Sequence, residues 1–202
     1  MSAQFIELPH TELTKLLGEE STDGDTLHHK VMDLIQGGEA KIHETCILVC
    51  SEGQTASLNS FLEDIYPSEY EPPGFGIPVD WELPNPANII RAITTFEVRN
   101  TGITFEFSPV VLRNGEFVKV RLLSELDRRL RLDTWFEHRD RWGDASTTMP
   151  VYGRLRVNSE ITLRADRFGL AAVLTPRQEK PAPAISKRLL VFLHAKVLEP
   201  SS

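Results

Sequence analysis

The stretch Ile103-Thr104-Phe105-Glu106-Phe107, followed by the pair Asn114-Gly115 and then by Val118-Lys119-Val120-Arg121-Leu122, decides the fold class. Side chains alternate across an extended chain, so Ile103, Phe105 and Phe107 share one face while Thr104 and Glu106 share the other. Asn-Gly between two such runs is the strongest short hairpin signal, because both residues accept the positive φ of a tight turn. On the return, Val118, Val120 and Leu122 oppose the first apolar face, with Lys119 and Arg121 outward. The sequence therefore predicts an antiparallel hairpin with one buried side.

The same logic extends outward in both directions. Leu155, Val157, Ile161 and Leu163 alternate with Arg156, Asn158, Glu160 and Thr162. Ala171 to Leu174 reads as a short strand. Leu189 to Leu198 is apolar on both faces, as expected of a central strand. Thr45 to Cys50 is apolar and β-branched, and ends at the turn Ser51-Glu52-Gly53, whereas Thr55 to Ile65 fits strand and helix equally. Asp140 to Ser146 and Thr175 to Ser186 read as loops.

Two short helices are expected before this. Thr11 can cap one carrying Leu13, Leu16 and Leu17. Asp25 can cap the next, with Leu27, Val31, Leu34 and Ile35 on one face and Gly37-Gly38 as its stop. Seven or eight strands with turns between them favour a mainly β (α+β) chain. Its expected architecture is an antiparallel β-sandwich or immunoglobulin-like sheet packing with two short N-terminal helices. The expected organisation is a helical segment over 1–40 and a β-domain over 41–202.

Within the β-domain, 66–86 holds Pro67, Pro72, Pro73, Pro78, Pro84 and Pro86. Such density excludes helix and central strand, and favours an extended arm. Tyr66, Tyr70, Phe75 and Trp81 on that arm are candidate partner-contact residues, packing either on their own domain or on a neighbouring subunit. Arg128, Arg129 and Arg131 belong to a basic stretch with Arg121, Arg139 and Arg141, while the first hundred residues are acidic. That asymmetry suits either a solvated face or docking of one molecule on another.

Composition narrows the function classes. A net charge of -7 and a pI near 5.4 argue against a nucleic-acid partner. No apolar run approaches the length of a membrane helix. Met1 to Leu8 lacks the basic and apolar character of a secretory signal, which fits either a cytoplasmic chain or one whose signal has been removed. Cys46 and Cys50 do not suit a bridge, because four residues along one strand span about 13 Å.

No P-loop, dinucleotide fingerprint, nucleophile elbow or His-Glu-x-x-His is present. The adjacent His28 and His29 point to different sides of a helix and form no shared metal face. His43 and His194 read as structural. Glu63, Asp64, Glu69 and Glu71 gather near the proline segment, but their spacing fits no known acid/base or calcium pattern. The expectation is a non-enzymatic chain without metal or cofactor.

The order of these features carries a family resemblance. Gly37-Gly38-Glu39-Ala40 ends a helix, Lys41-Ile42 enters a strand, and Ser51-Glu52-Gly53-Gln54-Thr55-Ala56 follows as a turn. Phe96 to Pro109 (FEVRNTGITFEFSP), the turn at Asn114-Gly115, Pro150-Val151-Tyr152 and Lys187-Arg188-Leu189-Leu190-Val191-Phe192 come next in the same order. Across 31–200 the chain resembles the C-terminal domain of bacterial secretins, the ring proteins of type II and III secretion and type IV pilus systems. Ile65 to Pro73 is similar to an insertion in divergent members.

The resemblance implies a structural or assembly component of a pilus or secretion apparatus, acting through protein–protein contacts and able to form a homo-oligomer. Its place would be periplasmic or outer-membrane-associated. Where family members insert hairpins into the membrane, this chain carries Asp127-Arg128-Arg129-Leu130-Arg131. Each arginine at bilayer depth would cost about 2–4 kcal/mol, so insertion is not expected. The alternative is a cell-surface ligand- or glycan-binding β-sandwich using Trp81, Trp135 or Trp142.

Overall fold

The computed structural model describes residues 1–18, 23–70, 93–140, 143–176 and 186–198. In chain order the elements are β1 (Ser2–Pro9), α1 (His10–Gly18), α2 (Gly24–Gln36), β2 (Lys41–Ile47), β3 (Ala56–Tyr70), β4 (Ile93–Leu112), β5 (Phe117–Asp140), β6 (Gly143–Arg164), β7 (Phe168–Leu174) and β8 (Lys187–His194). The eight strands form two four-stranded sheets, ordered β2-β1-β8-β7 and β3-β4-β5-β6. The chain is mainly β, a β-sandwich with short helices, as the alternation requires.

Contacts divide the chain into two compact units. One comprises 1–60, 102–127 and 153–202, and the other 61–101 and 128–152. The larger unit holds the whole first sheet. Its strands β8 and β1 are antiparallel neighbours from Ser2↔His194 to Pro9↔Lys187. In β8, Leu189, Val191 and Leu193 enter the core shared with Ile103, Phe105, Phe107, Val118, Val120 and Leu122 of the second sheet. Leu190 and Phe192 enter a separate core with Leu13 of α1 and Leu27 and Val31 of α2. Period-two alternation thus lets one strand serve two apolar layers, which explains why β8 carries no polar face.

The strand β1 follows the same rule. Ala3 and Phe5 face the second sheet, while Ile6 and Leu8 face the helices. The sequence reading missed it, placing residues 1–40 in a helical segment. Its flanking Gln4 and Glu7 imitate a half-exposed turn-like run, and only the pairing with β8 and β2 on both sides makes it an inner strand. In β2 the register skips His43, because Phe5 pairs with Glu44 and Ile6 with Ile42. This bulge turns Cys46 toward one core and Ile42 toward the other. It also brings His43 Nε2 within 3.1 Å of Glu7 Oε2, while Lys187 Nζ lies 2.7 Å from Glu7 Oε1.

The hairpin that decided the fold class forms as expected. Gly102 to Leu112 pairs with Phe117 to Asp127, closed by Leu112↔Phe117. Arg113, Asn114 and Gly115 all take positive φ, at 49°, 55° and 97°, the conformation that Asn and Gly bear most easily. Val157 and Leu163 of β6 are buried, with Leu155 and Ile161 packed beside them, again as the alternation requires.

The helices depart slightly from expectation. The cap of α2 is Asp23, whose carboxylate accepts from Thr26 N at 2.7 Å, rather than Asp25. Asp25 instead accepts from the backbone N–H of Phe168 at 3.0 Å, fastening the helix to β7. Gly24 lies so close to this strand that an added Cβ would sit 2.8 Å from Gly169 Cα, so only glycine fits there. At the far end Gly37 and Gly38 close the helix, with Gly38 at φ 78°.

Cys46 is buried and Cys50 lies beyond the end of β2, partly exposed; both are free. The two thus do not share one strand, contrary to the sequence reading. Burial pushes the Cys46 thiol up to about 11, with nearby Glu44 adding to the shift.

Candidate functional site

The smaller unit contains the stretches singled out in the sequence, and there the strands β3 to β6 carry a polar cluster on one face. Tyr66, at the start of the expected extended arm, is part of a regular strand. It stands in β3, which continues through Pro67 to Tyr70. Proline is tolerated there because β3 is an edge strand, where a missing N–H disrupts no ladder between inner strands. The remainder of the proline segment, including Phe75 and Trp81, lies outside the described residues.

The centre of the cluster is Asp64. Its two carboxylate oxygens lie 2.9 and 3.1 Å from Arg129 Nη1, and Tyr152 Oη donates to Oδ2 at 3.0 Å. The three residues come from β3, β5 and β6, so one carboxylate ties side chains from the two edge strands and an inner one. Tyr66 donates to Glu97 Oε2 at 2.8 Å across the β3–β4 pair, and its ring lies 5.9 Å from that of Tyr152. The guanidinium of Arg99 sits 4.6 Å from the centre of the Tyr152 ring, within cation–π range.

These contacts shift both phenols away from neutrality. Burial, followed by the hydrogen bond and charge of Asp64, pushes the Tyr152 hydroxyl up to about 12. The hydrogen bond to Glu97, with some burial, raises that of Tyr66. Neither hydroxyl is poised to exchange protons near neutral pH, as general acid–base work requires.

The opposite face of β3 and β4 follows from parity. Asp64 and Tyr66 define one side of β3 and Glu97 and Arg99 the same side of β4. Phe61 and Ile65, with Phe96 and Val98, therefore fall on the other. Ile65, Phe96 and Val98 are 61%, 57% and 58% exposed. By the same parity the exposed Glu63 stands between Phe61 and Ile65, so this face is apolar with one charged side chain in it. A group of exposed apolar side chains on a sheet surface is a mark of contact with another molecule.

The structure brings together only some of the residues chosen from sequence. Tyr66 and Arg129 join the cluster. Arg131 instead pairs with Asp133 two residues along its own strand. Arg128 lies on the same stretch of β5. Tyr70 ends β3. Of the carboxylates, Asp64 is central, Glu69 accepts from Thr95 Oγ1 at 3.0 Å, and Glu63 is exposed. Glu71 lies outside the described residues.

Sequence reasoning missed Glu97, Arg99 and Tyr152 as site residues. The i, i+2 spacing of Asp64 with Tyr66 and of Glu97 with Arg99 was the available signal. It marks a polar strand face as surely as Ile103, Phe105 and Phe107 mark an apolar one.

Among the described residues no group of three or more His, Cys, Asp and Glu side chains is placed to hold a metal ion, and no helix is long and apolar enough to cross a membrane. Compared with protein-family models, curated proteins and solved structures, the chain finds no match.

Proposed function

We propose that this chain is a non-enzymatic assembly component that works by protein–protein contact, related to the secretin domain it resembles. Its partners on this reading are other copies of itself and the proteins of a pilus or secretion machine, in the periplasm or at the outer membrane. The observation that carries the reading is the apolar face of Phe61, Ile65, Phe96 and Val98, which the smaller unit leaves uncovered. A chain acting alone gains nothing from four such side chains in water, and burying each against a neighbour contributes on the order of 1.5–3 kcal/mol. The collinear turns and strands from Gly37 to Phe192 support the family, and the two edge strands β3 and β6 offer backbone groups for further pairing.

Sedimentation of the purified chain tests this. The expected result is a concentration-dependent oligomer that a Phe96→Lys/Val98→Lys variant converts to monomer. A wild-type chain that stays monomeric at high concentration, alone and with its machine partners, overturns it.

A second reading rests on Trp135, which is 73% exposed on β5 and suits stacking on a sugar ring. Quenching or a shift of its fluorescence by oligosaccharides, lost in Trp135→Ala, would favour that reading. Trp81 and Trp142 lie outside the described residues.

A further inference from the structure

In the larger unit His28, on α2, is 5% exposed, yet it is an ionisable group in an apolar layer. Its ring stacks on Phe168 of β7 with centroids 3.6 Å apart and planes 4° from parallel, and meets Phe192 of β8 edge-on at 5.2 Å. Nε2 lies 2.7 Å from Gln4 Oε1 on β1, so it is the nitrogen that carries the proton. The other nitrogen, Nδ1, is buried with no hydrogen-bond partner among the described residues. A neutral ring tolerates this, since an unused acceptor in an apolar layer costs little beside a charged group. A second proton would create a cation whose new N–H has nothing to donate to.

We propose that His28 is a proton-operated latch, which holds α2 on the first sheet while neutral and loosens the helix when it takes up a proton. The groups around it bear unequally on that step. Asp25, on the same helix, favours a positive ring, but its carboxylate is already held by the Phe168 N–H and lies 3.9 Å from Arg167. His29 on α2, 6.1 Å from His28 between centroids, and His194 on β8, 4.9 Å from Phe168, oppose it once they charge. From β1 and β7 the facing groups are the neutral Gln4 and Phe168.

The consequence has a definite sign. Burial, with the nearby His29, keeps the native His28 below the ordinary imidazole range. The chain with α2 detached therefore binds the proton more readily. Attachment is fully favoured above the ordinary imidazole range and weakens as pH falls through it. Loosening withdraws Leu27 and Val31 of α2 from the apolar layer they share with Ile6, Leu190 and Phe192, to which Leu13 of α1 also belongs.

The test is amide hydrogen exchange over 24–36 in the full chain, corrected for intrinsic rates, together with NMR titration of the His28 ring. Between about pH 7.5 and 5.5, the window in which imidazoles charge, protection of α2 is expected to fall about tenfold. That is the scale of one buried donor left unpaired. Protection of 117–127 on β5 should hold, and His28→Phe should remove the pH dependence of α2. The latch is overturned if α2 loses protection equally in His28→Phe, or if His28 titrates without any change in α2. Should the variant fail to fold, the wild-type titration decides alone: α2 protection that falls through the ordinary imidazole range while the attached His28 ring titrates below it supports the latch, and α2 protection that stays flat across both ranges refutes it.

Discussion

Leu189→Ala and Leu190→Ala, at adjacent positions of β8, are each expected to lower stability by about 2–5 kcal/mol in denaturant unfolding. On a strand with one wet face, one of two neighbours is nearly silent. Here both side chains are fully buried, Leu189 between the sheets and Leu190 beneath the helices. Each truncation removes transfer energy and leaves a cavity in a layer already closed by neighbours. Leu190→Ala should also weaken the grip on α1 and α2, because its contacts lie in their core, whereas Leu189→Ala should leave helix protection nearer that of the wild type. A silent effect at either position would mean that β8 is not covered on both sides.

Asp64→Ala is the second large effect, and it is local. It removes two contacts from Arg129 and the acceptor of the Tyr152 hydroxyl. A loss of about 1–3 kcal/mol is expected, toward the lower end because Arg129 is about half exposed and water screens part of its pairing. The clearer readout is the Tyr152 phenol. Its raised value means that the chain keeps this proton more tightly when folded, so the associated stability is intact below the ordinary phenol value near 10. It is lost as pH rises toward about 12. In Asp64→Ala the ultraviolet tyrosinate titration of Tyr152 should move back toward its ordinary range, with burial retaining part of the shift. An unmoved titration would show that Asp64 does not hold the hydroxyl.

Much of the fold was legible because its strands obey simple alternation. The hairpin from Ile103 to Leu122, the strand at Leu155 to Leu163 and the doubly apolar β8 were all marked by the order of their side chains. β1 was not, because an inner strand is recognised by partners far along the chain, here β8 and β2, and local propensity does not reveal them. Pro67 excluded a central strand, which agrees with its place in β3, but that the extended chain there pairs as an edge strand is a property of the sheet. The site was half legible. Tyr66 and Arg129 were chosen for aromatic and basic character, yet they meet only through Tyr152, whose ring neighbours Tyr66 and whose hydroxyl shares Asp64 with Arg129, and the sequence grouped Asp64 with the neighbouring carboxylates Glu63 and Glu69. Only the pairing of the strands separates it from them.

The contact surface assigned to the smaller unit is tested most directly by deuterium uptake of the full chain at low and high concentration. Uptake in 61–70 and 93–101 is expected to fall as concentration rises, while 2–9 and 187–194 stay unchanged. Uptake that is independent of concentration in 61–70 and 93–101, or protection that grows in the first sheet instead, would contradict it.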